Sequence, residues 1–246
     1  MIRVYADREA LSRAAAELFA AEARQAVRAC GRFVVALAGG STPQQTYELL
    51  AREPFREQIP WLKTHVFWGD ERCVPADDPR NNARMACQTL LNHVPIPSGQ
   101  VHPMVCDHSP PEAANKYEAL LSGFFDNDRP RFDLVLLGLG ENGHTASLFP
   151  GTSVLEEQQR WVAEVYRTEE GLHRLTLTAA AINQAALVVF LVSGYAKAPI
   201  LRKVLEYTQD WRTVPALLIK PANGKLLWLV DRDAARLLQP RKESLP

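Results

Sequence analysis

Residues 133–151 read DLVLLGLGENGHTASLFPG, and the fold is decided by how this stretch is read. Leu134, Val135, Leu136 and Leu137, with Leu139 just beyond, form an apolar run too short for a helix and too continuous for a strand with one wet face. Such a run suits a strand buried on both faces of a parallel sheet. Gly138, Gly140 and Gly143 then crowd the turn, where a residue without Cβ lets the backbone adopt positive φ or approach a ligand closely. The same turn carries Glu141, Asn142, His144, Thr145 and Ser147. A plain connection does not need that density of reactive groups, and open α/β sheets bind ligands beyond the carboxyl ends of their strands. The loop is therefore the candidate active site.

Outward from this strand the same pattern repeats. Residues 33–37, FVVAL, run into Gly39, Gly40, Ser41, Thr42 and Pro43. Thr42 is expected to cap a helix whose first turn holds Pro43. A strand, a Gly-Gly turn and a helix N-terminus together make an anion site suited to a phosphate group. No lysine follows these glycines at P-loop spacing, which excludes that kind of nucleotide site. Residues 187–192, LVVFLV, lead to Gly194 and a helix start with Lys197 one turn in, the same anion-receptive arrangement. Residues 66–68 lead to Asp70, Glu71 and Arg72, three successive charges after a buried strand in a loop stiffened by Pro75. Such charges are costly to place there unless something uses them.

Helices are expected around residues 11–19, where apolar residues recur at helical spacing with Asp7 or Ser12 near the start, and over 81–91, 112–121 and 231–238. Further short strands are expected over 161–165, 174–178, 216–219 and 226–230, and a proline-rich loop over 92–111. Alternating strands and helices predict a three-layer α/β/α sandwich around a mostly parallel, Rossmann-like sheet, with residues 1–246 as a single domain.

Composition limits the partners. Hydrophobic residues make up 47% of the 246, enough for a substantial core. Lys+Arg 28 balance Asp+Glu 28, so no basic field draws the chain to nucleic acid or anionic lipid, and any anion site must be local. No apolar run reaches the roughly 20 residues of a membrane span. The opening MIRVYADREA carries charges where a secretion signal has its apolar core, so a cytoplasmic location is expected. Cys30, Cys73, Cys87 and Cys106 form no CxxC pair and are expected to be reduced thiols. His102, Cys106 and His108 raise the question of a metal, but they lie in a Pro-flanked loop, and neither metal nor cofactor is expected.

Four segments, in chain order WGDERCVP (68–75), GHTASLFPG (143–151), RLTLT (174–178) and GYAKA (194–198), resemble signatures of the 6-phosphogluconolactonases, and the likeness covers nearly the whole chain. The resemblance implies a fold shared with glucosamine-6-phosphate deaminases, ribose-5-phosphate isomerases and coenzyme A transferases. It implies hydrolysis of 6-phospho-D-glucono-1,5-lactone, a small-molecule substrate, with no obligate protein partner evident. It also places a sugar phosphate at Gly39, Gly40, Ser41 and Thr42, puts Asp70, Arg72 and Asn82 in the cleft, and gives Lys197 a phosphate contact. Arg174, expected to begin its strand, could face either substrate or solvent.

Hydrolysis needs a base to activate water, and donors or positive charge where the oxyanion develops. His144 is the natural base, its side chain having an unperturbed pKa nearest neutrality. A nucleophilic Ser147 is the alternative, but Gly-x-Ser-x-Gly is absent and no triad order can be assembled. Many family members carry Asp-Gly-His where this chain has Asn142, Gly143 and His144. If that carboxylate charges the imidazole, Asn142 supplies only a neutral hydrogen bond, and the acid duty falls to Glu141 or Asp70. The rival enzyme is a glucosamine-6-phosphate deaminase, expected to show Phe-Asn-Glu-Pro where this chain has Ser147, Leu148, Phe149 and Pro150. The rival from another class is a sugar-phosphate sensor without turnover.

Overall fold

The computed structural model describes residues 1–126, 130–207 and 210–239. The chain runs β1 (Ile2–Tyr5), α1 (Arg8–Cys30), β2 (Phe33–Leu37), α2 (Ser41–Leu50), α3 (Phe55–Gln58), β3 (Thr64–Trp68), β4 (Asp70–Arg72) and α4 (Asn82–Thr89). It continues through α5 (Pro110–Phe124), β5 (Leu134–Leu137), β6 (Val162–Arg167), β7 (Leu172–Leu177), α6 (Ala179–Ile182), β8 (Leu187–Val192), α7 (Ala198–Glu206), β9 (Lys225–Asp231) and α8 (Arg232–Ala235).

Six strands form a sheet in the order β1-β9-β8-β5-β2-β3, and every pairing in it is parallel. Strands β2, β5 and β8 are buried along their whole length, as continuous apolar runs covered by helices on both faces require. The result is a three-layer α/β/α sandwich. Helix α1 starts where Asp7 accepts the N–H of Ala10 and stops at Gly31, whose φ of 76° is the left-handed conformation of a C-terminal cap. Its apolar stripe reaches the sheet through Phe19, which meets Phe33 edge to face with ring centroids 5.3 Å apart.

Several expectations need correction. Residues 70–72 are not loop: they pair antiparallel with β7, which pairs in turn with β6, making a second, three-stranded sheet. Arg174 lies within β7, not at its beginning. Residues 2–5 form an edge strand that had not been anticipated, and 215–218 make a 3-10 turn where a strand was expected over 216–219. That segment contains Pro215, which cannot donate to a ladder. Helix α2 begins at Ser41, because Gly40 with φ 101° takes the cap position, so Thr42 lies inside the first turn.

Cys73 and Cys106 are joined in a disulfide, not reduced, while Cys30 and Cys87 are free. Thirty-three positions separate the two in sequence, but β4 and the 92–111 loop bring their Cα atoms to 5.2 Å; spacing alone could not reveal this. Cys106 is thus committed to Cys73, while His102 stacks on Phe67 at 4.4 Å. Among the described residues no cluster of His, Cys, Asp and Glu has the makings of a metal site, and no helix is long and apolar enough to cross a membrane.

Candidate active site

Parallel strands end on the same side, so the residues following β2, β3, β5 and β8 converge. They line a cavity of about 280 Å³. It opens where the sheet order reverses: from β2 the chain steps outward to β3, then returns to β5 on the other side of β2. Open α/β sheets place their ligands at that crevice.

One wall is the turn Gly39–Gly40 and the first turn of α2, through Ser41, Thr42 and Pro43. The first N–H groups of a helix have no intrahelical acceptor and attract anions. The turn is held from below by Tyr47, whose hydroxyl accepts from the Ala38 N–H at 3.0 Å and donates to the Ala38 carbonyl at 2.8 Å. Gly39 must lack a side chain because a Cβ there would overlap the Asn82 amide. That amide donates to the Asp70 carbonyl oxygen at 2.9 Å, so Asn82 bridges the glycine turn and β4. Asn82 itself is fixed by Glu71, a fully buried carboxylate that accepts the N–H groups of Asn82 and Ala83 at 2.7 Å each and of Arg72 at 2.8 Å. Burial outweighs these hydrogen bonds and pushes its pKa up to about 7.

The opposite wall carries Ser193 and Lys197. The Lys197 ammonium lies 3.6 Å from the carboxylate of Glu141, which is largely exposed.

The small antiparallel sheet explains the charges. Residues paired across a ladder point to the same face, and so do alternate residues along a strand. Asp70 pairs with Thr176 and Arg72 with Arg174, while Val165 pairs with Arg174 and Leu172 with Arg167. Asp70, Arg72, Arg167, Arg174 and Thr176 therefore share one face. The signature loop packs on that face: the Ser147 hydroxyl donates to Asp70 at 2.7 Å, and its N–H donates to the Thr176 hydroxyl at 3.2 Å. Arg174 is held bidentate by Glu170, at 2.6 and 2.8 Å, and reaches Asp70 at 3.7 Å. Arg72 donates to the Arg80 carbonyl at 2.6 Å. Ser147 is fully buried and does not line the cavity, which leaves a nucleophilic role without access to substrate.

His144 lines the cavity at the end of the β5 loop. Gly140 lies beneath its ring, where a Cβ would overlap the imidazole. Gly143, with φ 84°, makes the preceding turn, and its carbonyl accepts from the Ala216 N–H at 2.9 Å. The Asn142 side-chain oxygen accepts the His144 backbone N–H at 3.1 Å and lies 2.6 Å from Nδ1. Because the backbone group can only donate, that terminal atom of Asn142 is the oxygen, and an amide oxygen can only accept. Nδ1 therefore carries the hydrogen, and Nε2 keeps its lone pair. Burial, with Arg174, Lys197 and Arg167 adding to it and Asp70 opposing, pushes the imidazole pKa from 6.5 down to about 4. His144 is neutral at neutral pH.

The cavity thus gathers Gly39, Gly40, Ser41, Thr42, Asp70, Arg72, Asn82, His144, Arg174 and Lys197. Glu141, Asn142 and Gly143 stand behind it: Glu141 pairs with Lys197, Asn142 holds His144, and Gly143 shapes the turn. Arg167 and Glu170 were not anticipated; Glu71 was singled out only as one of three costly charges, and Phe149 only as part of the GHTASLFPG segment, neither with a role at the site. Alternating Arg174 and Thr176 in RLTLT was the available signal for a second sheet, but nothing in the sequence paired it with residues 70–72.

Fold and cleft together define an α/β enzyme with an anion-receptive cleft at the strand ends and a neutral histidine in its wall. Residues 6–228 match the family model described as glucosamine-6-phosphate isomerases/6-phosphogluconolactonase, and the chain belongs to that family. A 6-phosphogluconolactonase of Synechocystis sp. is 43% identical over 220 residues, 88% of this chain and 89% of the relative. One from Nostoc sp. is 39% identical over 95% of this chain and 96% of its own length. The solved structure of 6-phosphogluconolactonase from Trypanosoma brucei superposes with a TM-score of 0.84 at 31% identity, covering 97% of this chain and 98% of that one.

Proposed function

We propose that this protein hydrolyses 6-phospho-D-glucono-1,5-lactone to 6-phospho-D-gluconate, the lactone-opening step of the oxidative pentose phosphate pathway. The observation that carries the mechanism is the Asn142–His144 pair, which leaves Nε2 of a neutral imidazole as the free base on the cavity wall. Nε2 takes a proton from water as the oxygen attacks C1, and the carbonyl oxygen gains the charge. Arg72 and Arg174, both lining the cavity, supply positive potential for that oxyanion. The ring C–O bond then breaks, and the leaving hydroxyl takes up the proton that His144 holds.

The phosphate rests against the first turn of α2, at Gly39, Gly40, Ser41 and Thr42, with Lys197 closing from the other wall. Asp70 balances Arg174 and fixes Ser147. Glu141 acts through Lys197 instead of on the imidazole. This reading treats residues 1–246 as one cytoplasmic domain that handles a small molecule without metal, cofactor, nucleic acid or obligate protein partner. Residues 127–129, 208–209 and 240–246 lie outside the described residues.

The test is turnover of the phosphorylated lactone by the purified chain, with spontaneous hydrolysis subtracted, before and after exhaustive chelation. Undiminished turnover supports the reading. Binding without turnover would leave a sensor, and activity restored only by a divalent metal would defeat the mechanism.

A further inference from the structure

The general base is seated on something the reaction does not otherwise use. The His144 imidazole stacks on the ring of Phe149, with centroids 4.3 Å apart and 29° between planes. The guanidinium carbon of Arg167 lies 3.8 Å from the centre of the same ring, and that of Arg174 lies 5.3 Å from it. Phe149 is buried and, like Arg167, does not line the cavity. Arg167 is the last residue of β6, where the hairpin turns back at Gly171, whose N–H donates to the Arg167 carbonyl at 2.8 Å. Its side chain is only 14% exposed, it pairs with Glu169 at 3.0 Å, and its Nε has no hydrogen-bond partner. The guanidinium is thus held, largely out of water, over an aromatic face, where cation–π attraction strengthens as water is excluded.

We propose that Phe149 and Arg167 are positioning residues for the His144 imidazole, the ring seating the base and the guanidinium seating the ring. This rests on His144 being the base. Asn142 fixes one edge of the imidazole by hydrogen bonding but leaves its plane free to tilt. Phe149 removes that freedom, and Phe149 is itself clamped by two arginines from the small sheet. The geometry has an electrostatic side. The charged groups facing His144 are Asp70 from β4, Arg167 from β6, Arg174 from β7 and Lys197 from the turn after β8. Only the first favours the imidazolium. Arg167 therefore both orients the base and helps keep its lone pair free.

The experiment compares Arg167→Met, Arg167→Lys and Phe149→Leu with the unaltered protein. It follows the pH profile of kcat/KM and, separately, the titration of the His144 ring protons by NMR. Arg167→Met should lower kcat by up to about 10²-fold, the cost of a misplacement near 1 Å, with KM little changed. It should also move the acid limb and the His144 titration together to higher pH. Arg167→Lys should return both toward the original pH, because charge is restored, and recover part of kcat. Phe149→Leu should lower kcat with a smaller change in the limb. An unchanged kcat and an unmoved His144 titration in folded Arg167→Met would overturn the proposal. A His144 titration that moves while the activity limb stands still would support the coupling and overturn His144 as the base.

Discussion

The side-chain oxygen of Asn142 lies 2.6 Å from Nδ1 of His144, and it also takes the His144 backbone N–H. One neutral acceptor thereby selects the tautomer and holds one edge of the ring, two tasks that do not require a carboxylate. A carboxylate here would add a third effect. Asn142→Asp places a negative charge against the imidazole and favours its protonated form, so the acid limb of kcat/KM should rise from about 4 toward neutrality. Asn142→Leu should instead lower kcat and leave the tautomer unselected. An acid limb that stays in place in Asn142→Asp would show that this side chain does not communicate with the base.

Removing the proposed base is the more direct experiment. His144→Ala should lower kcat by roughly 10² to 10⁴, equivalent to about 3 to 5.5 kcal/mol of barrier. KM should hold if, as proposed, the phosphate is taken up by the α2 turn and Lys197. The imidazole is neutral down to about pH 4, so activity in the unaltered enzyme should persist well below the ordinary 6.5 of histidine. Near-full kcat in a folded His144→Ala protein would direct attention to Asp70 or Glu141.

The half-buried Lys197 ammonium pairs with the exposed Glu141 carboxylate at 3.6 Å. Lys197→Ala should cost about 1.5 to 3 kcal/mol in kcat/KM on the phosphorylated lactone, the range of hydrogen bonds to charged groups, and little on unphosphorylated gluconolactone. Glu141→Gln should leave kcat near its original value, since the carboxylate neither lines the cavity nor touches His144. Equal losses on both substrates for Lys197→Ala would remove it from the phosphate.

The central strands of the parallel sheet were legible because continuous apolar runs such as 134–137 and 187–192 carry their own signal, and β2, β3, β5 and β8 each run into glycines that announce a turn. Eight of the ten cavity residues lie in the stretches that follow those strands, whereas Asn82 opens α4 and Arg174 sits inside β7. What stayed hidden depends on long-range pairing. Three residues, Asp70 to Arg72, are too few for a period, and only the ladder to β7 makes them a strand. Once paired, their alternation puts Arg72 beside Arg174 and points Glu71 the other way, toward α4. The Cys73–Cys106 bond is hidden likewise, since a separation of 33 residues says nothing about distance.

That bond ties the end of β4, one residue beyond Arg72, to the loop before α5. Closing a loop of 33 residues restricts the unfolded chain by about 3 to 4 kcal/mol in the chain-entropy model. Reduction, or Cys106→Ser, should therefore lower stability in denaturant titrations by up to that amount. It should also lower kcat more than it raises KM, because Arg72, which serves the oxyanion in the proposed mechanism, loses an anchor while the proposed phosphate site at the α2 turn does not. Denaturation midpoints unchanged by reductant would show that the bond does not constrain the chain.

Glu71 offers the sharpest test of the support beneath Asn82. Its carboxylate is fully buried and accepts three backbone N–H groups, two of them from the start of α4. Desolvation dominates, and the folded-state pKa rises from 4.5 to about 7. The folded protein thus holds this proton more tightly than the unfolded chain does. The stabilisation is complete below about pH 4.5 and is lost as pH climbs to about 7; for a shift of this size it is on the order of 3 kcal/mol. Glu71→Gln removes the titration and turns an amide NH₂ toward a backbone donor, leaving a buried polar group unsatisfied at a cost of about 1 to 3 kcal/mol. The difference in unfolding free energy between the two proteins, measured from pH 4.5 to 7, should therefore shrink as pH rises. The variant should bind substrate more weakly across the range, because Asn82 is no longer held against the Gly39 turn. A difference that stays constant with pH would show that Glu71 does not titrate in this window, and that its three hydrogen bonds hold it ionised.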